Sequence, residues 1–242
     1  MKVLIMSDIH GNREAFQAVL KRAAQYKDIN ACILLGDMID YGMHSNEVIQ
    51  MVRMLPYPVI CNICGNHEDA VMRNDYSRFS SVRGQVSAKY TQSILDQNSW
   101  NYINNEMDRH GMKEFQCAGK RCLAVHGSVE DEYWKSLNPE GDLSEYKNFD
   151  FVFSGHSHLP HLVEKYYKCE DVVHRNKKKV IFINPGSVGQ PRNLNCMAQF
   201  VIMDMTTEQV SFEKVKYDID TEQASYHGQV DEFYRDRLKL GV

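Results

Sequence analysis

The chain has 242 residues, 43% hydrophobic and 25% charged, with 28 Lys+Arg against 32 Asp+Glu and a formal net charge of −4. That mixture excludes a disordered or fibrous chain, and the acid balance argues against binding nucleic acid through a basic surface. No run of about 18 apolar residues is present, so no membrane-spanning helix is expected, and the apolar start is too short for a secretory leader.

Val3-Leu4-Ile5-Met6 is a short apolar run of the kind carried by a strand buried on both faces. Ala15, Phe16, Val19, Leu20 and Ala23 recur at helical spacing, which predicts a helix over about residues 13–26. Ala31 to Leu35 reads as a second buried strand, and strand, helix, strand makes a right-handed parallel unit. A second helix is expected from about Ser45, as its N-cap, through Val48, Ile49, Val52 and Leu55, closed by Pro56 and Pro58. Val59 to Ile63 is a third strand. Residues 67–107 are helical by pattern, with Gly84 and Asn98-Ser99 as the expected interruptions. Strands then dominate. Met112 to Cys117 and Arg121 to Val125 flank an Ala118-Gly119-Lys120 turn. Phe151 to Phe153 follows, then Leu162 to Glu164 and Val180 to Ile183, with Lys177-Lys178-Lys179 at a turn between them. Phe200 to Met203 and Val210 to Lys216 form a late hairpin, and a final helix over about 221–239 has Asp220 as its cap. No linker or repeat divides the chain. The expectation is one α/β domain over 1–242, βαβ in its first half and mostly antiparallel in its second.

Five of these strands end in metal-type side chains: Asp8-Ile9-His10, Gly36-Asp37, Gly65-Asn66-His67-Glu68, His126-Gly127 and Gly155-His156-Ser157-His158. In open α/β sheets, ligands bind beyond the carboxyl ends of the strands, so five such ends can converge on one crevice. Asp8, His10, Asp37, Asn66, His126, His156 and His158 are too many ligands for one ion. Two ions about 3.5–4 Å apart, sharing a carboxylate, use them all. Oxygen with imidazole suits divalent transition metals, Mn²⁺ foremost with Fe, Zn or Ni as alternatives, better than Mg or Ca. A phosphate ester is the natural ligand of such a pair, and a small phosphoester or nucleotide is the expected partner.

In this order the five motifs resemble the signature of the calcineurin-like metallophosphoesterases. The likeness runs from residue 1 to about 192, and Asn184-Pro185-Gly186-Ser187-Val188-Gly189-Gln190-Pro191-Arg192 is similar to the small prokaryotic phosphodiesterase-like branch. The resemblance implies an α/β fold, a four-layer αββα sandwich of two mixed sheets flanked by helices. It implies that Asp8, His10, Asp37 and His158 hold one metal and Asp37, Asn66, His126 and His156 the other, with Asp37 bridging. His67 is then no ligand but the general acid that protonates the leaving oxygen as metal-activated water attacks phosphorus. Asp40 either orients His67 or caps a turn. Relatives among the protein Ser/Thr phosphatases place a phosphate-binding Arg where Tyr41 stands, and an Arg where Cys64 stands. Phosphate contact is therefore expected from Arg192, with Asn12 as a second substrate contact.

The implied activity is phosphodiester hydrolysis, with dinucleoside-tetraphosphate hydrolysis or protein dephosphorylation as alternatives. A non-catalytic metal-binding scaffold on the same fold is the reading from another class. The helical stretch 67–107 is placed to cover the site. Seven scattered cysteines fit reduced thiols and a cytoplasmic protein better than a disulfide framework. Of ten histidines, five fall inside the motifs, and the rest, His44, His110, His161, His174 and His227, default to surface or packing.

Overall fold

The structure is a computed structural model that describes all 242 residues. β1 (Lys2–Met6), β2 (Ile29–Leu34) and β3 (Val59–Asn62) run parallel, with α1 (Arg13–Ala23) and α2 (Ser45–Arg53) as the crossovers. Their side chains alternate between two cores. Val3, Ile5, Ala31, Ile33 and Cys61 face inward with Cys122, Ala124, Phe151, Phe153, Ile181 and Ile183 of the second sheet. Leu4, Met6, Cys32 and Leu34 face outward against Phe16, Val19, Val48, Ile49 and Val52 of the helices. Burial on both faces explains the uninterrupted apolar runs. Each such side chain contributes about 1.5–3 kcal/mol relative to exposure.

β9 (Ala198–Asp204) and β10 (Gln209–Val215) form the late hairpin, and β9 joins β1 antiparallel, giving the order β10-β9-β1-β2-β3. The second sheet has the order β4-β5-β6-β8-β7, from β4 (Met112–Cys117), β5 (Lys120–Val125), β6 (Phe151–Ser154), β7 (His161–Lys168) and β8 (Lys177–Asn184). The second half is mostly antiparallel, as expected, but β5, β6 and β8 are parallel neighbours. Three parallel strands in each sheet therefore send their carboxyl ends to one rim. The four layers are present, but the layer over the outer face of the second sheet is irregular. Leu137, Leu143, Tyr146 and Phe149, from the long β5–β6 connection with its single 3₁₀ turn, cover Leu123, Val152 and Phe182 there.

Several expected boundaries move. Ser45 is the first residue of α2 rather than its cap; His44 holds that position, and Ser45 Oγ accepts the Asp40 N–H at 3.1 Å. The stretch 67–107 divides into α3 (Asn66–Arg73), α4 (Val82–Ile94) and α5 (Gln97–Asn105). Gly84 lies inside α4 and Asn98-Ser99 inside α5. The breaks fall instead at left-handed Asn74 (φ 53°) and at Leu95-Asp96, where Ser81 and Asp96 cap the next helices. Lys177-Lys178-Lys179 begins β8, paired with Lys168, Tyr167 and Tyr166, and is not a turn. Lys179 meets Glu208 at 2.6 Å. The final helix is interrupted too. α6 (Ile219–Ala224) is capped by Asp218 rather than Asp220, and α7 (Phe233–Asp236) follows beyond left-handed Gly228. All seven cysteines are free thiols, and no helix is long and apolar enough to cross a membrane.

α6 ties the C-terminal segment to α1. The wholly buried Glu222 accepts the Glu14 N–H through Oε2 at 3.2 Å, while Oε1 has no partner. Burial raises its pKa to about 7. The folded state thus holds this proton more tightly than the unfolded chain, so stability falls as pH rises from the unfolded value through about 7. Glu222→Gln keeps an acceptor and removes the charge. Urea denaturation should show it stabilising the protein on the order of 3 kcal/mol at pH 8 and little at pH 4.5. Equal effects at the two pH values would contradict this.

Candidate metal centre

Each motif occupies the turn that leaves a parallel strand. Asp8, His10, Asp37, Asp40, Tyr41, His156 and His158 all have positive φ, between 50° and 73°. Non-glycine residues hold such conformations at a cost of about 1–3 kcal/mol each, and only where surroundings fix them. One fixing group is Glu68, fully buried, whose carboxylate accepts the N–H groups of Asp37 (2.9 Å), Met38 (2.7 Å), Ile39 (3.2 Å) and Gly65 (2.8 Å). It locks the Asp37 turn onto the start of α3. The two turns approach so closely that a Cβ at Gly65 would collide with Asp37, and one at Gly189 with the carbonyl of Ile9.

The seven expected ligands converge. His158 Nε2 lies 3.2 Å from Asp8 Oδ1 and 3.3 Å from His10 Nε2. Asp37 Oδ2 lies 3.7 Å from His10 Nε2 and 3.2 Å from His126 Nε2. Asn66 Oδ1 is 3.0 Å from His126 Nε2 and 2.9 Å from His156 Nδ1. Asp8, His10 and His158 form one group whose ligand atoms all lie within 4.8 Å, Asp37, His126 and His156 a second, and His10, Asp37 and His67 a third.

The donor set fits divalent metal. Both carboxylate oxygens of Asp8 are buried with no hydrogen-bond partner, an arrangement that needs a cation. His10, His126 and His158 each set Nδ1 against a backbone carbonyl, of Ile39 (3.2 Å), Leu35 (2.7 Å) and Gln190 (2.6 Å). A carbonyl only accepts, so Nδ1 carries the proton and the Nε2 lone pair faces inward, as in metal-binding histidines. Burial pushes His156 down to about 3 and, with the charge of Arg192, His158 down to about 4, so both offer free lone pairs at neutral pH. Burial also lowers His126, but Asp37 outweighs it and raises this imidazole to about 9; a metal here must displace that proton.

His67 and Asp40 stand apart in their bonding. His67 Nδ1 meets Asp40 Oδ2 at 2.6 Å, and its Nε2 is 3.9 Å from Asp37 Oδ2. Burial works against the imidazolium, but Asp37 and Asp40 overcome it, so the His67 pKa is raised. Asp40 Oδ1 accepts from Ser87 Oγ (2.5 Å), Thr91 Oγ1 (3.0 Å) and the Tyr41 N–H (2.7 Å). Ser87 and Thr91 lie four apart on one face of α4. Their only signal in the sequence is that spacing, which points to no partner.

A cavity of about 340 Å³ opens on the centre, lined by Asp37, Asn66, His67, His156, His158 and Arg192, and by Tyr41, Arg78, Phe79, Ser80 and Trp134. Arg192 thus lines the same cavity as the candidate ligands. Asn12 does not. It is wholly buried; Oδ1 caps α1 by accepting the Ala15 N–H (3.0 Å), and Nδ2 donates to the Gly189 carbonyl (2.9 Å) and Tyr217 Oη (3.2 Å). Its polar atoms are fully used inside the fold, so the expectation of a substrate contact is corrected to a structural role. Tyr41 packs its ring on His10 and His67, with centroids 4.6 and 4.5 Å away.

The calcineurin-like phosphoesterase superfamily domain model matches residues 1–208. An uncharacterized protein of Methanocaldococcus jannaschii is 27% identical over 99% of this chain and 98% of its own. The crystal structure of a metallophosphoesterase from Sphaerobacter thermophilus superposes with a TM-score of 0.76 at 27% identity, covering both chains fully. A hypothetical protein from Pyrococcus horikoshii shares the fold, with a TM-score of 0.82 at 19% identity over all of this chain and 98% of that one. The motifs, the two mixed sheets and these matches agree: the chain belongs to the calcineurin-like phosphoesterase superfamily, whose members are metal-dependent phosphoester hydrolases.

Proposed function

We propose that the protein hydrolyses phosphodiesters at a centre of two divalent transition-metal ions, Mn²⁺ foremost. Asp8, His10, Asp37 and His158 hold one, and Asp37, Asn66, His126 and His156 the other. The observation that carries this reading is the convergence of three inward-facing imidazoles on the unpartnered carboxylate of Asp8 and on Asp37, with His67 directed to the same cavity but tied to Asp40. Ions at these ligands would supply positive charge for the phosphoryl oxygens and acidify water.

The remaining work belongs to side chains. Asp40 holds the Nδ1–H of His67, and its charge with that of Asp37 raises the pKa and favours the imidazolium, whose Nε2–H is then available to the leaving oxygen. Arg192, which lines the same cavity, holds a phosphoryl oxygen. The segment 78–80 before α4 lines the cavity, and α4 itself, through Ser87 and Thr91, sets Asp40. A monoester presents three free oxygens and a diester two. Where the protein Ser/Thr phosphatases place a phosphate-binding Arg, Tyr41 lines the cavity and offers no cation to a third oxygen, which disfavours protein dephosphorylation. Seven free thiols accord with a reducing, cytoplasmic setting.

The test is turnover of metal-loaded protein on bis(4-nitrophenyl) phosphate and 4-nitrophenyl phosphate. The diester should be preferred in kcat/KM by about tenfold or more, a difference of ~1.4 kcal/mol in the barrier. A monoester preference would overturn the diester reading, and no turnover on either would overturn hydrolysis.

A further inference from the structure

The two sheets leave four edge strands, β10, β3, β4 and β7. β7 is the longest of them, eight residues paired to β8 without a bulge, and no strand pairs with its outer side. An edge of that length and regularity is a template for another strand. Its side chains alternate between faces. His161, Val163, Lys165 and Tyr167 are half-buried, Val163 and Tyr167 against the β5–β6 connection, whereas Leu162, Glu164, Tyr166 and Lys168 stand exposed. Tyr166 is 61% exposed.

Charge separates β7 from the other edges. β3 carries none. In β4, Lys113 and Glu114 are successive and point to opposite faces, as do Glu213 and Lys214 in β10. In β7 an acid and a base share one face: Glu164 and Lys168 lie two residues either side of Tyr166. Directly opposed residues of an antiparallel pair point to the same face, and opposite charges there stabilise the pair. If two copies of β7 pair about a two-fold axis at Tyr166, Glu164 of each copy meets Lys168 of the other, and Lys165 meets Tyr167 on the other face. An axis at Glu164 or at Lys165 would instead set like charges directly opposite each other. Glu164 is free to take such a partner: it lies 3.5 Å from Lys179, whose closer acid is Glu208 at 2.6 Å. The same axis directs the 169–176 turn of one copy toward the start of β7 in the other. Val172 and Val173 of that turn are 85% and 86% exposed, and Leu159 and Leu162 at the start of β7 are exposed as well, so each set offers apolar cover to the other. We infer that β7 is a homodimer interface, pairing antiparallel with β7 of a second copy about Tyr166 and joining two five-stranded sheets into one that runs through both copies.

Sedimentation equilibrium of the full chain tests this, with circular dichroism to show that each variant is folded. Wild type should be a dimer. Lys168→Glu and Glu164→Lys each set like charges opposite one another and should weaken the dimer by about tenfold or more. The double variant carrying both changes restores two opposite-charge pairs and should recover the dimer. Tyr166→Cys should yield a covalent dimer on mild oxidation, because directly opposed Cα atoms lie about 4.5–5.5 Å apart, within the span of a disulfide. Leu162→Cys should cross-link no more than wild type, since its two copies would stand eight positions apart along the paired strands, about 26 Å. Wild type that sediments as a monomer even at about 100 μM would overturn the inference. So would a dimer that neither charge reversal weakens, or a folded double variant that stays monomeric. Cross-linking of Tyr166→Cys no greater than that of wild type would overturn the axis at Tyr166.

Discussion

Asp37→Asn should reduce turnover by about 10³–10⁴-fold, the rate equivalent of several kcal/mol of charge stabilisation. It should also lower metal content from two ions per chain to one or fewer. Asp37 is the one carboxylate common to both proposed ligand sets, with Oδ2 3.7 Å from His10 Nε2 and 3.2 Å from His126 Nε2. Asparagine preserves shape and can still accept the His67 N–H that now reaches Asp37 Oδ1 at 2.9 Å. What it removes is charge. Asp37 is also the group that raises His126 to about 9, so the variant should hold neutral imidazoles at lower pH. Metal analysis and steady-state kinetics on the same preparation check both parts. Wild-type metal content with wild-type kcat would remove Asp37 from the centre.

His67→Ala should lower kcat by about 10²–10⁴-fold, the usual contribution of a positioned general acid, while leaving metal content unchanged. A poor leaving group should suffer more than 4-nitrophenolate, which needs less help from a proton. The pH profile carries the sign. The protonated ring is the active form, and its pKa is raised, so wild-type activity should fall as pH climbs through that value. His67→Ala should lose this alkaline limb. Asp40→Asn should move the limb to lower pH, because it removes the carboxylate that holds His67 Nδ1 at 2.6 Å. A variant lacking His67 that kept the wild-type rate for an alkyl leaving group would exclude it as the acid.

The sequence showed the strands because each is buried on both faces, so Val3 to Met6 and Phe151 to Phe153 are apolar without interruption. Metal-type side chains directly after those strands made the candidate site readable as well. Strand order was not readable: apolar periodicity carries no pairing partner, so neither the parallel β5-β6-β8 arrangement nor β9 beside β1 could be read. Helix breaks were misplaced because Gly84 and Asn98 are punctuation residues that helices tolerate, while a left-handed Asn74 ends α3. The support around the site is the least visible part. Ser87 and Thr91 reach Asp40 across 47 and 51 residues, and Glu68 binds the Asp37 turn across about 30.

The most direct measurement is the rate of bis(4-nitrophenyl) phosphate hydrolysis as metal-free protein is titrated with Mn²⁺. The account predicts no turnover without metal, a rise that saturates at two equivalents per chain, and its loss on chelation. Turnover that is indifferent to metal, or absent at every Mn²⁺ content while the ion binds, would contradict it.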